Sequence, residues 1–489
     1  MRLVTRFRKR AAAVGSFALL TLVVALVPAT SAAAADYVPI TGAGSSWSSN
    51  AVEQWRRNVE QYGMRVNFAS TGSVDGRNQF KAGTVDYAVS ETPYGLKDNG
   101  VVDTLPSRGF AYMPLVAGGT AFMYNLKAGG KSITNLRLSG EVVTKIFTGD
   151  ITRWDDKQIK ADNPGLSLPK RQIVPVVRSD GSGSTAQFTL WMSKQHPALW
   201  NSFCAANGRP SPCGLTSQYP APKFVKAQSG SLGVAGYVSQ NYAEGAITYV
   251  EYSYALKSGF PVAKVLNAAG QYVAPTGAAV AVALQKAVIN TTASSPDYLT
   301  QNLEGVYNSA DPVAYPLSSY SYMIVPTATS ANFTKEKGST LSTFANYMLC
   351  EGQKQAEVLG YSPLPENLVR AGLEQVARIP GTVAAASECK GPITPPPTAA
   401  SGSAGAGAAA GATDVAASAD GALYDANGAL ISGGASGGAV SSPFTLADSV
   451  FGPQQFVMLF AGILVVAVIA LPPVLSRRLK RPGTKIPGQ

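Results

Sequence analysis

"RSDGSGST" occupies residues 178–185, between the apolar run "QIVPVV" at 172–177 and the helix-forming "AQFTLWM" at 186–192. The pattern reads as a strand, a turn of glycine and small hydroxyl residues, and a helix. Such a junction gathers free backbone N–H groups and the partial positive charge of a helix start. Glycine lets those N–H groups turn toward a guest, and serine hydroxyls add neutral donors. Arg178 offers a planar fork to an oxyanion. Asp180, on the same side of an extended segment, can hold that fork in place. The stretch predicts an anion site beyond the carboxyl end of a strand, and hence an α/β fold.

Two further loops share this design. "TGAGSSWSS" (41–49) precedes a helical run, and "STGSVDG" (70–76) stands between a strand and a helix. Serine at a helix start is ordinary capping when taken singly. Three such turns with one arginine converge on a small oxyanion. "DYAVSETPYG" (86–95) adds Ser90 and Glu91 after another strand. An ionised carboxylate only accepts hydrogen bonds. One acceptor among many donors admits monohydrogen phosphate, which brings a proton, and disfavours sulfate, which does not.

The surrounding pattern alternates strand and helix. "SSNAVEQWRRNVEQYG" (48–63) places Ala51, Trp55, Val59 and Tyr62 on one helical face, and "GRNQFKAG" (76–83) reads as a short helix ending in glycine. "RVNFAS" (65–70), "VDYAVS" (85–90), "AYMPLVAGGTAFMYNL" (111–126), "IVPVV" (173–177), "AITYVEYSYAL" (246–256) and "YSYMIVP" (320–326) read as strands, and "STLSTFANYMLCEGQKQAEVLG" (339–360) as helix. Alternating elements over so long a body predict α/β layers in two lobes.

The formal charge of +11 does not describe that body. Arg2, Arg6, Arg8, Lys9 and Arg10 lie in residues 1–35, and Arg477, Arg478, Lys480, Arg481 and Lys485 in residues 476–489, with no acid in either segment. Ten of the eleven excess charges are therefore terminal, which argues against nucleic acid as a partner. A basic start, the apolar "AAAVGSFALLTLVVALV" (11–27) and the small residues "PATSAAAA" mark 1–35 as a secretory signal peptide. Residues 390–455 are mostly Ala, Gly, Ser and Pro, a composition that cannot bury a core, and are expected to form a disordered tether. A flexible chain of that length spans about 40 Å. "FVMLFAGILVVAVIALPPVL" (456–475) is long enough for one transmembrane helix, and the basic tail after it (476–489) predicts a cytoplasmic carboxyl end with the body outside. An even count of four cysteines suits export. Cys204 with Cys213 and Cys350 with Cys389 is the favoured pairing of the three available.

Together "TGAGSSW", the "GS" at 72–73, "VDYAVSET", "ITRWDD", "NPGLSLP", "VVRSDGSGST" and "ITYVEYSYA" resemble, in order and from about 41 to 370, the PstS family of phosphate-binding proteins of bacterial ABC transporters. The resemblance implies a two-lobe type II periplasmic-binding-protein fold with a hinge. Lobe 1 would comprise 36–115 and 317–389, and lobe 2 would comprise 116–316. It also implies inorganic phosphate held in the cleft and passed to ABC permease subunits by a monomer that needs no cofactor and is not an enzyme. By position, Ser46 and Trp47 would cap the anion, Ser73 would donate, and Glu91 would accept the phosphate proton. Arg178, held by Asp180, would meet the charge, and Ser182, Gly183 and Ser184 would complete the cage. The chain departs from the family in having Ser46-Trp47 for Thr-Phe and Glu91 for aspartate. It also carries Asp75 in a turn where an inward carboxylate would oppose an anion.

Two other classes are open to the sequence. One is a surface protein of the same fold with altered anion specificity, or with a sensory or scavenging role and no transport. The other, a phosphatase, would need a nucleophile with its base or a metal site. The lone histidine, His196 in "KQHPALW", reads as an ordinary residue at a helix end, and no P-loop lysine signature is present.

Overall fold

β1 (Ile40–Gly44), α1 (Ser49–Glu60), β2 (Val66–Ala69), α2 (Ser73–Ala82) and β3 (Tyr87–Ser90) alternate along the amino-terminal part of the computed structural model. The structure describes residues 37–98, 100–295, 298–382 and 389, and the backbone of two short paired strands, Leu423–Tyr424 and Leu430–Ser432. α1 buries Ala51, Trp55 and Val59 on the face its spacing predicts. α2 begins earlier than its apolar pattern, at Ser73, and stops at Gly83, whose left-handed backbone lets its N–H reach the carbonyls of Gln79 and Phe80. The expected signal peptide, transmembrane span and basic tail lie outside the described residues, as does all of the tether except the two short strands. Among the described residues no helix is long and apolar enough to cross a membrane.

β4 (Phe110–Tyr124) is the longest strand named here. After it come β5 (Val174–Arg178), α3 (Gly183–Gln195), β6 (Lys226–Gln228), α4 (Gly230–Val238), β7 (Ala246–Glu251), α5 (Tyr252–Ser258), β8 (Ser318–Pro326) and α6 (Lys335–Leu349). Eight strands pair in the order β6-β5-β7-β4-β8-β3-β1-β2. β1 is parallel to β2 and β3, and β5 is parallel to β6 and β7. β4 and β8 join the two parallel groups through antiparallel pairings. The two groups therefore run in opposite directions, and their carboxyl ends point at each other.

Register gives the interval between them. Ser90, at the end of β3, is level with Pro114 of β4 through their shared partner Tyr322. Glu251, at the end of β7, pairs with Thr120. Six residues of β4 separate these levels, roughly 20 Å of extended chain. The loops that leave each group fill that interval. Gly118 lies on this stretch of β4, where a Cβ would come within 2.7 Å of the Trp47 ring.

Two readings of element type are corrected. The run 246–256 is strand only to Glu251, because the Glu251 carboxylate accepts the Ser253 N–H at 2.7 Å and starts α5. The run 339–360 is α-helix only to Leu349. Cys350 leaves helical geometry, and Gly352–Gln355 forms a 3-10 turn whose Gly352 carbonyl accepts the Trp55 indole N–H at 3.0 Å. Both favoured disulfides are present, Cys204–Cys213 and Cys350–Cys389.

Candidate functional site

The three turns singled out in the sequence meet in one place. The Ser73 hydroxyl donates to Glu91 Oε2 at 2.7 Å and accepts the main-chain N–H of Gly183 at 3.1 Å. This joins the start of α2, the end of β3 and the start of α3. A side chain at 183 would have nowhere to go: a Cβ there would lie 1.9 Å from Glu91 Oε2 and 2.6 Å from the Ser73 hydroxyl. α3 is held in this position by its own packing, with Phe188 lying 4.9 Å from Tyr249 of β7 between ring centroids.

Glu91 is 1 % exposed. Its Oε1 accepts the hydroxyls of Ser45 and, at 3.0 Å, Ser321, while Oε2 takes Ser73. All three contacts come from hydroxyls, from which a carboxylate oxygen accepts. Its main-chain carbonyl accepts the Gln187 side-chain amide of α3 at 2.9 Å.

Arg178 ends β5 with 3 % exposure. Its Nε donates to Asp180 Oδ1 at 2.7 Å and its Nη2 pairs with Asp180 Oδ2, a two-point grip that orients the guanidinium. Asp180 also accepts the Gly230 N–H at 2.9 Å. Burial works to raise the Asp180 carboxyl pKa, and the hydrogen bonds and charge of Arg178 outweigh it, leaving the group below the usual carboxylate range. The remaining Arg178 nitrogen, Nη1, reaches the hydroxyl of Ser231 at 3.3 Å.

Ser231 belongs to a fourth turn, "QSGSLG" (228–233), which ends β6 and opens α4. Its hydroxyl lies 2.9 Å from that of Ser46, and its N–H donates to Ser46 at 3.0 Å. The signal was present in the sequence, since glycine and serine stand there before a helix. Ser45 was passed over in favour of its neighbour Ser46. Ser321 and Gln187 carry no local signal, since one sits in a central strand and the other inside a helix.

The remaining expected residues divide. Ser182 caps α3, accepting the Thr185 N–H at 3.2 Å. Ser184 is buried and its hydroxyl has no partner among the described residues. Trp47 is buried with its ring edge-on to Tyr361, 5.8 Å between centroids, while its N–H donates to the Ser45 hydroxyl at 3.0 Å. Asp75 is exposed and accepts the Gln79 amide at 2.5 Å, so its carboxylate does not oppose the site. His196 sits where α3 meets the helix Pro197–Ala206, half-buried 5.2 Å from the Trp191 ring. Burial lowers its pKa, against the pull of Glu141.

The starts of α2 and α3 thus meet at the Glu91 carboxylate through Ser73 and Gly183, and the start of α4 and the oriented guanidinium meet through Ser231 at Ser46, next in the chain to Ser45 on that carboxylate. Groups that can donate outnumber the two carboxylates, of which Asp180 is taken up by Arg178, and helix starts add positive potential. The arrangement can enclose a small oxyanion that brings one proton.

A family model described as a PBP superfamily domain matches residues 27–351. The chain is 34 % identical over 338 residues to the phosphate-binding protein PstS of Xylella fastidiosa (strain Temecula1), covering 68 % of this chain and 83 % of that one. It is 29 % identical over 351 residues to the PstS of Methanocaldococcus jannaschii, covering 69 % and 85 %. Among solved structures it is similar to a high-affinity periplasmic phosphate-binding protein with bound phosphate, with a TM-score of 0.51, 18 % identity, and coverage of 68 % and 92 %. At that identity the likeness concerns the fold.

Proposed function

The chain belongs to the PstS family of phosphate-binding proteins within the PBP superfamily, and we propose that it captures inorganic phosphate where the four turns meet and hands it to an ABC permease. One observation carries this reading: a single buried acceptor, Glu91, stands among donors from both parallel strand groups. Monohydrogen phosphate satisfies that acceptor with its proton and offers its other oxygens to the hydroxyls, the N–H groups and Arg178. Sulfate leaves Glu91 facing an unprotonated oxygen. Stripping a dianion of water is costly, and charged hydrogen bonds return roughly 1.5–3 kcal/mol each, so many donors are required.

In this reading residues 36–115 and 317–389 form one lobe and 116–316 the other, hinged where β4 and β8 pass between them. Ser46, Ser73, Gly183, Ser184 and Arg178 bind the anion directly, with Ser231 added to the set. Trp47 braces the Ser45 hydroxyl through its main-chain N–H, Ser182 caps the helix, and Asp180 holds the guanidinium. The signal peptide is removed on export. The tether and the span 456–475 keep the body outside a cell membrane, a short diffusion away from its permease.

Titration calorimetry on the full mature chain in detergent, at about pH 8, tests the reading. Phosphate is expected to bind and sulfate to bind far more weakly. Equal binding of the two, or none, overturns it.

A further inference from the structure

Behind Glu91 lies a second polar feature. Thr120 of β4, Gln187 of α3, Tyr307 of the short helix Glu304–Tyr307 and Ser319 of β8 line one small cavity, with apolar walls from Trp191, Leu303 and Leu317. Thr120 Oγ1, Gln187 Oε1, Tyr307 Oη and Ser319 Oγ are all buried, and none has a hydrogen-bond partner among the described residues. Four such atoms around one small space are not a packing accident, since each unpaired buried polar group costs about 1–3 kcal/mol.

The chemistry of the four names the guest. Gln187 Nε2 is committed to the Glu91 carbonyl at 2.9 Å, which leaves Oε1 as a pure acceptor. The other three are hydroxyls that donate or accept; burial raises the Tyr307 pKa and keeps its proton in place. A guest that donates twice and accepts twice completes the set: one bond to Gln187 Oε1, one to a hydroxyl oxygen, and two from hydroxyl protons. Water does this. The centre of a water-sized sphere has about 10 Å³ to move in, close to what one water needs and too little for a larger guest.

We propose that this cavity is a resident-water site, and that the water makes Gln187 a positioning residue for Glu91. The water locks the Gln187 amide so that Nε2 faces the Glu91 main chain. Glu91, whose carboxylate sorts protonated from unprotonated oxyanions, is then held to α3 through its main-chain carbonyl as well as to Ser45, Ser73 and Ser321 through its side chain. The positioning role rests on the phosphate reading above, while the water site stands on the cavity alone.

The test has two arms, both on the full mature chain. A crystal structure of the phosphate-loaded wild type at a resolution that shows solvent is expected to place one water within hydrogen-bond reach of Gln187 Oε1 and Tyr307 Oη; a dry cavity or an amide turned the other way overturns the site. In the second arm, calorimetry on Gln187→Leu and Tyr307→Phe compares phosphate with sulfate. The phosphate-over-sulfate affinity ratio is expected to fall about three- to tenfold for Gln187→Leu and about threefold for Tyr307→Phe. Phosphate affinity drops while sulfate, which makes no use of the acceptor, holds. A purely structural role would weaken both anions together, so an unchanged ratio in a folded Tyr307→Phe overturns the positioning role even if Gln187→Leu fails to fold. Wild-type protein that ignores phosphate would instead remove the phosphate reading, and the crystal structure would still decide the water.

Discussion

Ser73 and Gly183, 110 positions apart in the chain, meet at 3.1 Å, the Gly183 N–H donating to the Ser73 hydroxyl. The contact joins the two parallel strand groups directly at the proposed anion site. Adding one methyl group at 183 drives it into Glu91 Oε2. Gly183→Ala is therefore expected to lower phosphate affinity at least a hundredfold with little loss of thermal stability, since the clash arises only where α3 and β3 come together. Calorimetry with thermal unfolding checks this. An alanine variant that binds normally would mean the two sides do not close as described.

Glu91→Gln should reverse selectivity more than it weakens the site. A glutamine amide donates where the carboxylate only accepted. Phosphate loses an acceptor for its proton, and sulfate gains a donor. A hydrogen bond to a charged group contributes roughly 1.5–3 kcal/mol, so the phosphate-over-sulfate ratio is expected to fall about ten- to a hundredfold. Competition titration with the two anions reads it. A ratio that stays put would show that Glu91 does not discriminate.

Asp98 offers a test of closure away from the anion. It lies on the short hairpin Lys97–Asp98/Val101–Val102, and its Oδ2 accepts the N–H of Ser217 at 2.9 Å and the Ser217 hydroxyl. In the two-lobe reading this contact holds the closed form without touching ligand. Asp98→Ala should speed phosphate release about tenfold and leave the association rate nearly unchanged. Stopped-flow tryptophan fluorescence measures both. Slower association with normal release would argue against a latch.

Glu251 predicts a pH dependence of stability. It is fully buried, with one oxygen on the Ser253 N–H and the other without a partner among the described residues. Burial pushes its carboxyl well above the usual range, more than its hydrogen bonding with Ser253 offsets. The unfolded chain loses this proton above about pH 4.3 while the folded chain keeps it. The folded state then binds more protons, so stability from this group declines as pH rises from about 4.3 toward the raised folded value. Glu251→Gln removes the penalty. Its unfolding temperature should exceed the wild type's by about 2–4 °C near pH 8 and by less near pH 5. A difference that is constant with pH would show that Glu251 does not hold its proton.

Much of this was readable in the chain. The α/β class followed from alternating apolar runs and helical spacing. The arrangement of "RSDGSGST" marked Arg178, Asp180 and Gly183 because strand ends, glycines and helix starts are local features. The disulfide pairing favoured from the sequence is the one present. Ser321 and Gln187 were not readable, because nothing within a few residues of a serine in a strand or a glutamine in a helix says that Glu91 is opposite. The strand-to-helix switch at Glu251 was missed for a related reason. "AITYVEYSYAL" keeps a strand-like composition, and the helix depends on a buried side chain capping its start.

The chain by itself determined most of the strands and helices, which turns carry free N–H groups and which side chains can meet an oxyanion, because backbone preference and side-chain chemistry are properties of neighbouring residues. The tertiary structure decided that Ser46 faces Ser231, that Glu91 is gripped by Ser45, Ser73 and Ser321, and that Asp75 points away. Those contacts come from two oppositely directed strand groups joined by β4 and β8, and strand direction across a sheet is set by long-range pairing that no local pattern encodes.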